Sequence, residues 1–162
     1  MNTVEPIRDL ETVLDIADYL KVRNKRDYVM FMFGIYSGLR ISDILQFRVR
    51  DVRDKDFICQ REKKTKKEKR FPINKELKAI IADYITDKRD FEFLFKSPGK
   101  PNQPITRQQA YNILSSAGKQ FGLDSIGTHT LRKTFGYHMY KQTGDAALIM
   151  DILNHCDIHY TL

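Results

Sequence analysis

The sequence predicts a mainly α-helical fold with a small antiparallel β-sheet, an α+β class. Three observations carry this. Apolar residues recur at helical spacing over most of the chain; short β-like runs cluster between about residues 49 and 73; and neither an internal repeat nor a linker divides the sequence. With 162 residues, 41% of them apolar, the chain is long enough to bury its own core, so one domain spanning 1–162 is expected.

Taken in order, Leu10, Val13, Leu14, Ile16, Ala17 and Leu20 form one helical stripe. "KRDYVMFMFGIYSG" follows as a nearly all-round apolar helix, expected to be buried and to end at Gly38. Ser42 is placed to cap a short helix, "SDILQF". "VRDV", "DFICQ" and "KRFPI" then read as strands, with a hairpin around Lys63 to Lys67. Asn74 caps "KELKAIIADYITDK", and "FEFLF" adds an edge strand before the loop "KSPGKPNQP". Thr106 and Gln109 match a capping box that opens "RQQAYNILSSAGKQF", stopping at Gly122. "TLRKTFGYHMYKQT" ends at Gly144, and Asp145 caps "AALIMDIL".

Composition narrows the function. Lys and Arg outnumber Asp and Glu by 28 to 21, a net charge of +7, which favours an anionic partner, nucleic acid first. No run of about 18 apolar residues is present, and "MNTVEPIRDLETV" lacks the basic-then-apolar character of an export signal, so a cytoplasmic protein is expected. Cys59 and Cys156, far apart and outside any CxxC pattern, read as reduced thiols packed as small hydrophobes.

Three stretches bear chemistry. "REKKTKKEKR", residues 61 to 70, holds seven cations and two anions. It suits a solvated face or a phosphate-binding finger; its position between two strands favours the finger. "YSGLRISDIL" places Arg40 after a glycine turn, where it either snorkels to solvent, pairs with Asp43 or serves a site. In "THTLRKTFGYH", His129 and Arg132 stand three apart at a helix opening, on one face and near the positive end of the helix dipole. HxxR alone is a common chance pattern, as is an exposed polar face for Arg107, Gln108 and Asn112 on the helix opened by Thr106.

Together, "SGLRISDIL", "KKTKKEKRFPI" and "HTLRKTFGYHMYKQTGDAALIMDILNH" resemble, in order and spacing, the catalytic domain of the tyrosine recombinases, the phage-integrase family. The resemblance runs from about Pro6 to the last residue. It implies that fold and a site-specific recombinase that cuts and rejoins DNA through a 3′-phosphotyrosyl link, without cofactor or metal. It assigns Arg40, His129 and Arg132 to the scissile phosphate, with His129 either donating to its oxygens or helping to move the nucleophile's proton, Lys64 to the general acid and His155 to a further hydrogen bond, with Asp43 supporting an active-site cation. Lys63, Thr65, Lys66, Lys67, Lys69, Arg107, Gln108 and Asn112 are the expected DNA contacts. Double-stranded DNA and other copies of the chain, four in a synapse, are the implied partners, in a cytoplasm of bacterial, phage or mobile-element origin.

Two departures accompany the resemblance. Family members carry a helical DNA-clamping domain ahead of the catalytic one, whereas about forty residues precede Arg40, so a catalytic domain without a separate clamp is expected. The family's nucleophilic tyrosine lies nine residues beyond the His155 position, and the chain continues for seven. The nucleophile is therefore expected beyond Leu162, with Tyr160 about one helical turn too early and a monomer expected for this chain alone. The alternative is a DNA-binding module or decayed integrase that holds DNA without cutting. A zinc site from His155, Cys156 and His159 has helical spacing for its histidines but no second cluster of ligands.

Overall fold

The computed structural model describes residues 5–61, 66, 68–127 and 129–144. Its elements run α1 (Leu10–Arg23), α2 (Lys25–Ser37), α3 (Ile41–Ile44), α4 (Val49–Val52), β1 (Phe57–Arg61), β2 (Glu68–Pro72), α5 (Lys75–Tyr84), α6 (Arg107–Lys119) and α7 (Thr130–Thr143). α2 is the axis around which α1, α3, α5 and α7 pack, while α6 leans on α1 and α3. Its all-round apolar character explains that place: Val29, Met30, Phe31 and Phe33 are each at most 1% exposed. Each such side chain contributes about 1.5–3 kcal/mol by leaving water. Phe33 meets Phe47 at 5.7 Å and Phe95 at 6.1 Å between ring centroids, and Tyr84 stacks on Phe95, so α2, α5 and the loop around residue 95 share one core.

Side-chain caps begin most of the long helices. Asp9 accepts from the Glu11 N–H, Asn24 from Asp27 and Asn74 from Leu77, while Thr106 and Gln109 close a reciprocal capping box. Gly38 and Gly144 end α2 and α7 in the left-handed region, at φ 69° and 67°, where a side chain would strain the turn. β1 and β2 pair antiparallel with Ile58 opposite Phe71 and Cys59 opposite Arg70. Ile58 and Phe71 face the core, and the outward Phe57 lies under the Arg70 guanidinium, 4.4 Å from its centroid.

Several expectations are corrected. "VRDV" is a helical turn: Val49 and Val52, three apart, are both buried, and the Asp51 carboxylate accepts from the Arg48 N–H at 2.7 Å. Arg40, not Ser42, occupies the cap position of α3, because its carbonyl accepts from Asp43 and Ile44. "FEFLF" forms an isolated bridge, Phe93 to Arg48, and buries Leu94 and Phe95 without extending a strand. Leu10 and Leu14 of the first stripe are 61% and 60% exposed, since α2 and α6 cover the flank of α1 carrying Val13, Ile16, Ala17 and Leu20. Cys59 is exposed, because Ile58 takes the inward position beside it. α6 stops at Lys119, before Gly122.

Candidate active site

The site is built where the end of α2 meets the opening of α7. After Gly38 the backbone runs extended through Arg40, at φ −68° and ψ 143°. Leu39 and Ile41, each 3% exposed, are drawn into the core, which leaves the Arg40 side chain outside between two anchors. The Ser37 hydroxyl oxygen accepts from the Leu39 N–H at 3.2 Å and stiffens this turn.

Across from it, α7 brings Arg132, buried to 7% exposure, with Nη1 donating to the Gly38 carbonyl at 3.1 Å. That bond joins two motifs 94 residues apart. Burial, followed by the neighbouring positive charge of Arg40, pushes the Arg132 pKa down to about 10, with the Asp43 carboxylate partly opposing the shift. The guanidinium still carries its charge at neutral pH. An anion bound between Arg40 and Arg132 relieves their repulsion, so the pair is electrostatically arranged to receive one.

His129 stands at the cap position of α7, its carbonyl accepting from the Lys133 N–H at 3.0 Å. Its ring is at the surface yet partly shielded, and that shielding is the first cause holding its pKa below the ordinary histidine value. The charges of Arg107, Lys133, Arg132 and Arg40 follow, in that order. Neutral imidazole is thereby favoured, a form able to accept a proton.

Arg40, Asp43, His129 and Arg132 therefore come together from separate parts of the sequence. Arg107, first residue of α6, joins them more closely than its reading as an outlying DNA contact anticipated. Gln108 and Asn112 are exposed along the same helix and bonded to each other at 3.1 Å. Lys66 is exposed with φ 57°, and Lys69 lies in β2 opposite Gln60. Lys63, Lys64, Thr65, Lys67, His155, Cys156, His159 and Tyr160 fall outside the described residues. Among the described residues no group of three or more His, Cys, Asp or Glu side chains is arranged to hold a metal ion, and no helix is long and apolar enough to cross a membrane.

Residues 7–162 match the model of the phage integrase family. The chain belongs to the phage integrase family. Its integrase relatives include the probable integrase/recombinase YoeC of Bacillus subtilis, 49% identical over all of this chain and 89% of the relative. The tyrosine recombinase XerD of Listeria innocua is 27% identical over 94% of this chain. The chain spans about half of XerD, 54% of its length. A lambda integrase dimer bound to a COC' core site superposes with a TM-score of 0.77 at 15% identity, over 100% of this chain and 49% of that one. The integrase fold, helical with a small antiparallel sheet, is thus the one seen in tyrosine-recombinase catalytic domains, and family and fold together are those of site-specific recombinases.

Proposed function

We propose that residues 1–162 form a single catalytic domain of a site-specific DNA recombinase, acting through a 3′-phosphotyrosyl intermediate. The observation that carries this reading is the convergence of Arg40 and the buried Arg132 beside a histidine kept toward its neutral form. Phosphoryl transfer depends mainly on positioning and on stabilising charge at the non-bridging oxygens, a task suited to two guanidinium forks that keep their charge at neutral pH. Arg40 and Arg132 hold those oxygens, Asp43 steadies Arg132, and His155 donates a further hydrogen bond.

A tyrosine expected beyond Leu162, rather than Tyr160, attacks the phosphorus. Its proton passes to His129 as the new P–O bond forms. The bond to the 5′ oxygen breaks, and Lys64 supplies the proton which that leaving group needs. The phosphotyrosyl bond retains the energy of the phosphodiester, so rejoining consumes neither water nor cofactor. Double-stranded DNA is held by Lys63, Thr65, Lys66, Lys67 and Lys69 of the hairpin and by Arg107, Gln108 and Asn112 of α6. The DNA-bound lambda integrase dimer supports DNA and further protomers as partners; the working synapse of this reading holds four. This chain alone is a monomer, in the cytoplasm.

A nicked suicide substrate tests the proposal when offered to this chain and to a form extended past Leu162. The extended form yields a covalent protein–DNA adduct, and Arg40→Ala or Arg132→Ala removes it while most DNA affinity, spread over many cations, remains. Binding without adduct in the extended form would leave a DNA-holding module in place of an enzyme.

A further inference from the structure

Residues 5–8 are fastened to α7 on the side away from the phosphate clamp. The Ile7 N–H donates to Thr134 Oγ1 at 2.9 Å, and His138 Nε2 lies 2.9 Å from the Ile7 carbonyl oxygen. A carbonyl can only accept, so Nε2 carries the proton. The Thr134 hydroxyl donates onward to the Thr130 carbonyl at 2.7 Å, and the Thr130 hydroxyl oxygen accepts from the Gly127 N–H at 2.8 Å. The Glu5 N–H bonds the Ser125 carbonyl at 3.2 Å, and Arg8 lies over the Tyr137 ring, 5.7 Å from its centroid. Ile7 is 3% exposed and Thr130 and Thr134 are 0% exposed, so the bonds from the Ile7 N–H and those of the two threonines are shielded from water, while the bond to His138 is partly buried.

We propose that Thr134 and His138 are positioning residues that lock residues 5–8 against the back of α7 and so set the rotation of the helix that aims Arg132. The inference rests on the reading of Arg132 as a phosphate clamp. Residues 130, 134 and 138 are four apart and share one stripe of the helix, whereas Arg132 lies two residues from both Thr130 and Thr134, roughly 160–200° around the axis. The front of α7 therefore carries the clamp and the back carries the latch. Both backbone groups of Ile7 are satisfied by consecutive turns of α7, so the helix cannot rotate without stranding a buried donor and acceptor. A displacement of about 1 Å at a reacting centre costs on the order of 100-fold in rate, which makes such a lock consequential.

The test uses Thr134→Val and His138→Ala, with Thr134→Ser and His138→Gln as variants that keep the bonding groups and Ile58→Val as a core control in the hairpin. In this chain, NMR reads solvent exchange of the Arg132 guanidinium protons. In the extended form, single-turnover cleavage is read at saturating DNA. Thr134→Val and His138→Ala speed the exchange and slow cleavage by on the order of 10- to 100-fold, with the half-saturating DNA concentration unchanged. Thr134→Ser and His138→Gln restore both, and Ile58→Val leaves both alone. Unaltered exchange in Thr134→Val and His138→Ala overturns the latch, as does an equal change in Ile58→Val. Normal cleavage by Arg132→Ala would instead remove the clamp reading, while the exchange measurement continues to decide the latch.

Discussion

Replacing Gly34 with alanine adds one methyl group where α2 crosses α7. A Cβ built there stands 2.8 Å from Leu131 Cβ, an atom fixed to the α7 backbone that cannot swing aside. Ordinary carbon contact needs about 3.5–4.0 Å, so the helices must part by roughly 1 Å. Overpacking of this kind costs about 1–3 kcal/mol, and the gain from removing a helical glycine returns about 1 kcal/mol. A net loss of up to about 2 kcal/mol lowers the melting temperature by up to roughly 8 °C in a chain of this size. Leu131 neighbours Arg132, so the same displacement moves the clamp away from Arg40 and slows cleavage by the extended form on the order of 100-fold. DNA affinity is little changed. Thermal melts of Gly34→Ala, Leu131→Ala and the double variant check the cause, because the double variant should lose less stability than the two singles summed. A higher melting temperature for Gly34→Ala, with additive behaviour in the double variant, would refute the reasoning.

Two further outcomes follow from charge. Arg107→Ala removes the strongest neighbouring positive charge acting on His129, so the His129 titration followed by NMR moves to higher pH. The sign is set by the depressed folded value: neutral His129 is present above its pKa and lost as pH falls through it, and raising that pKa brings the acid limb of cleavage nearer neutrality. Replacing Lys63, Lys66 and Lys67 by glutamine flattens the plot of log affinity against log salt by about 0.9 for each phosphate no longer neutralised, as read by fluorescence anisotropy at several salt concentrations.

The parts of the fold written in local chemistry were legible. Asn74, Thr106 with Gln109, Gly38 and Gly144 each mark a helix end through bonds within a few residues, and the helices begin or stop where those residues predict. "VRDV" was misread because its two β-branched valines favour a strand while their spacing of three favours a helical turn, and four residues are too few for periodicity to decide; the deciding facts, burial of Val49 and Val52 and the Asp51 cap, belong to the tertiary structure and to one side-chain bond. Leu10 and Leu14 show the same limit, since periodicity gives the direction of a stripe but not how much of it a neighbour covers. At the site, Arg40 and Arg132 carry no sign of proximity in their own surroundings; resemblance paired them, and the bond from Arg132 to Gly38 supplies the physical link. The influence of Arg107 on His129 escaped sequence reading because it depends on how α6 sits beside α7.

The bond between Arg132 and the Gly38 carbonyl, spanning 94 residues, also sets an order of events at the ribosome. Translation at 5–20 residues per second places roughly 5 to 20 s between the emergence of its two ends. In the later part of that interval, once residue 70 is made, a nascent chain carries the basic stretch 61–70 and still lacks the second arginine of the proposed clamp. On the proposed function, completion of α7 is thus a built-in delay, separating the moment when the chain first attracts DNA from the moment when it can grip a phosphate.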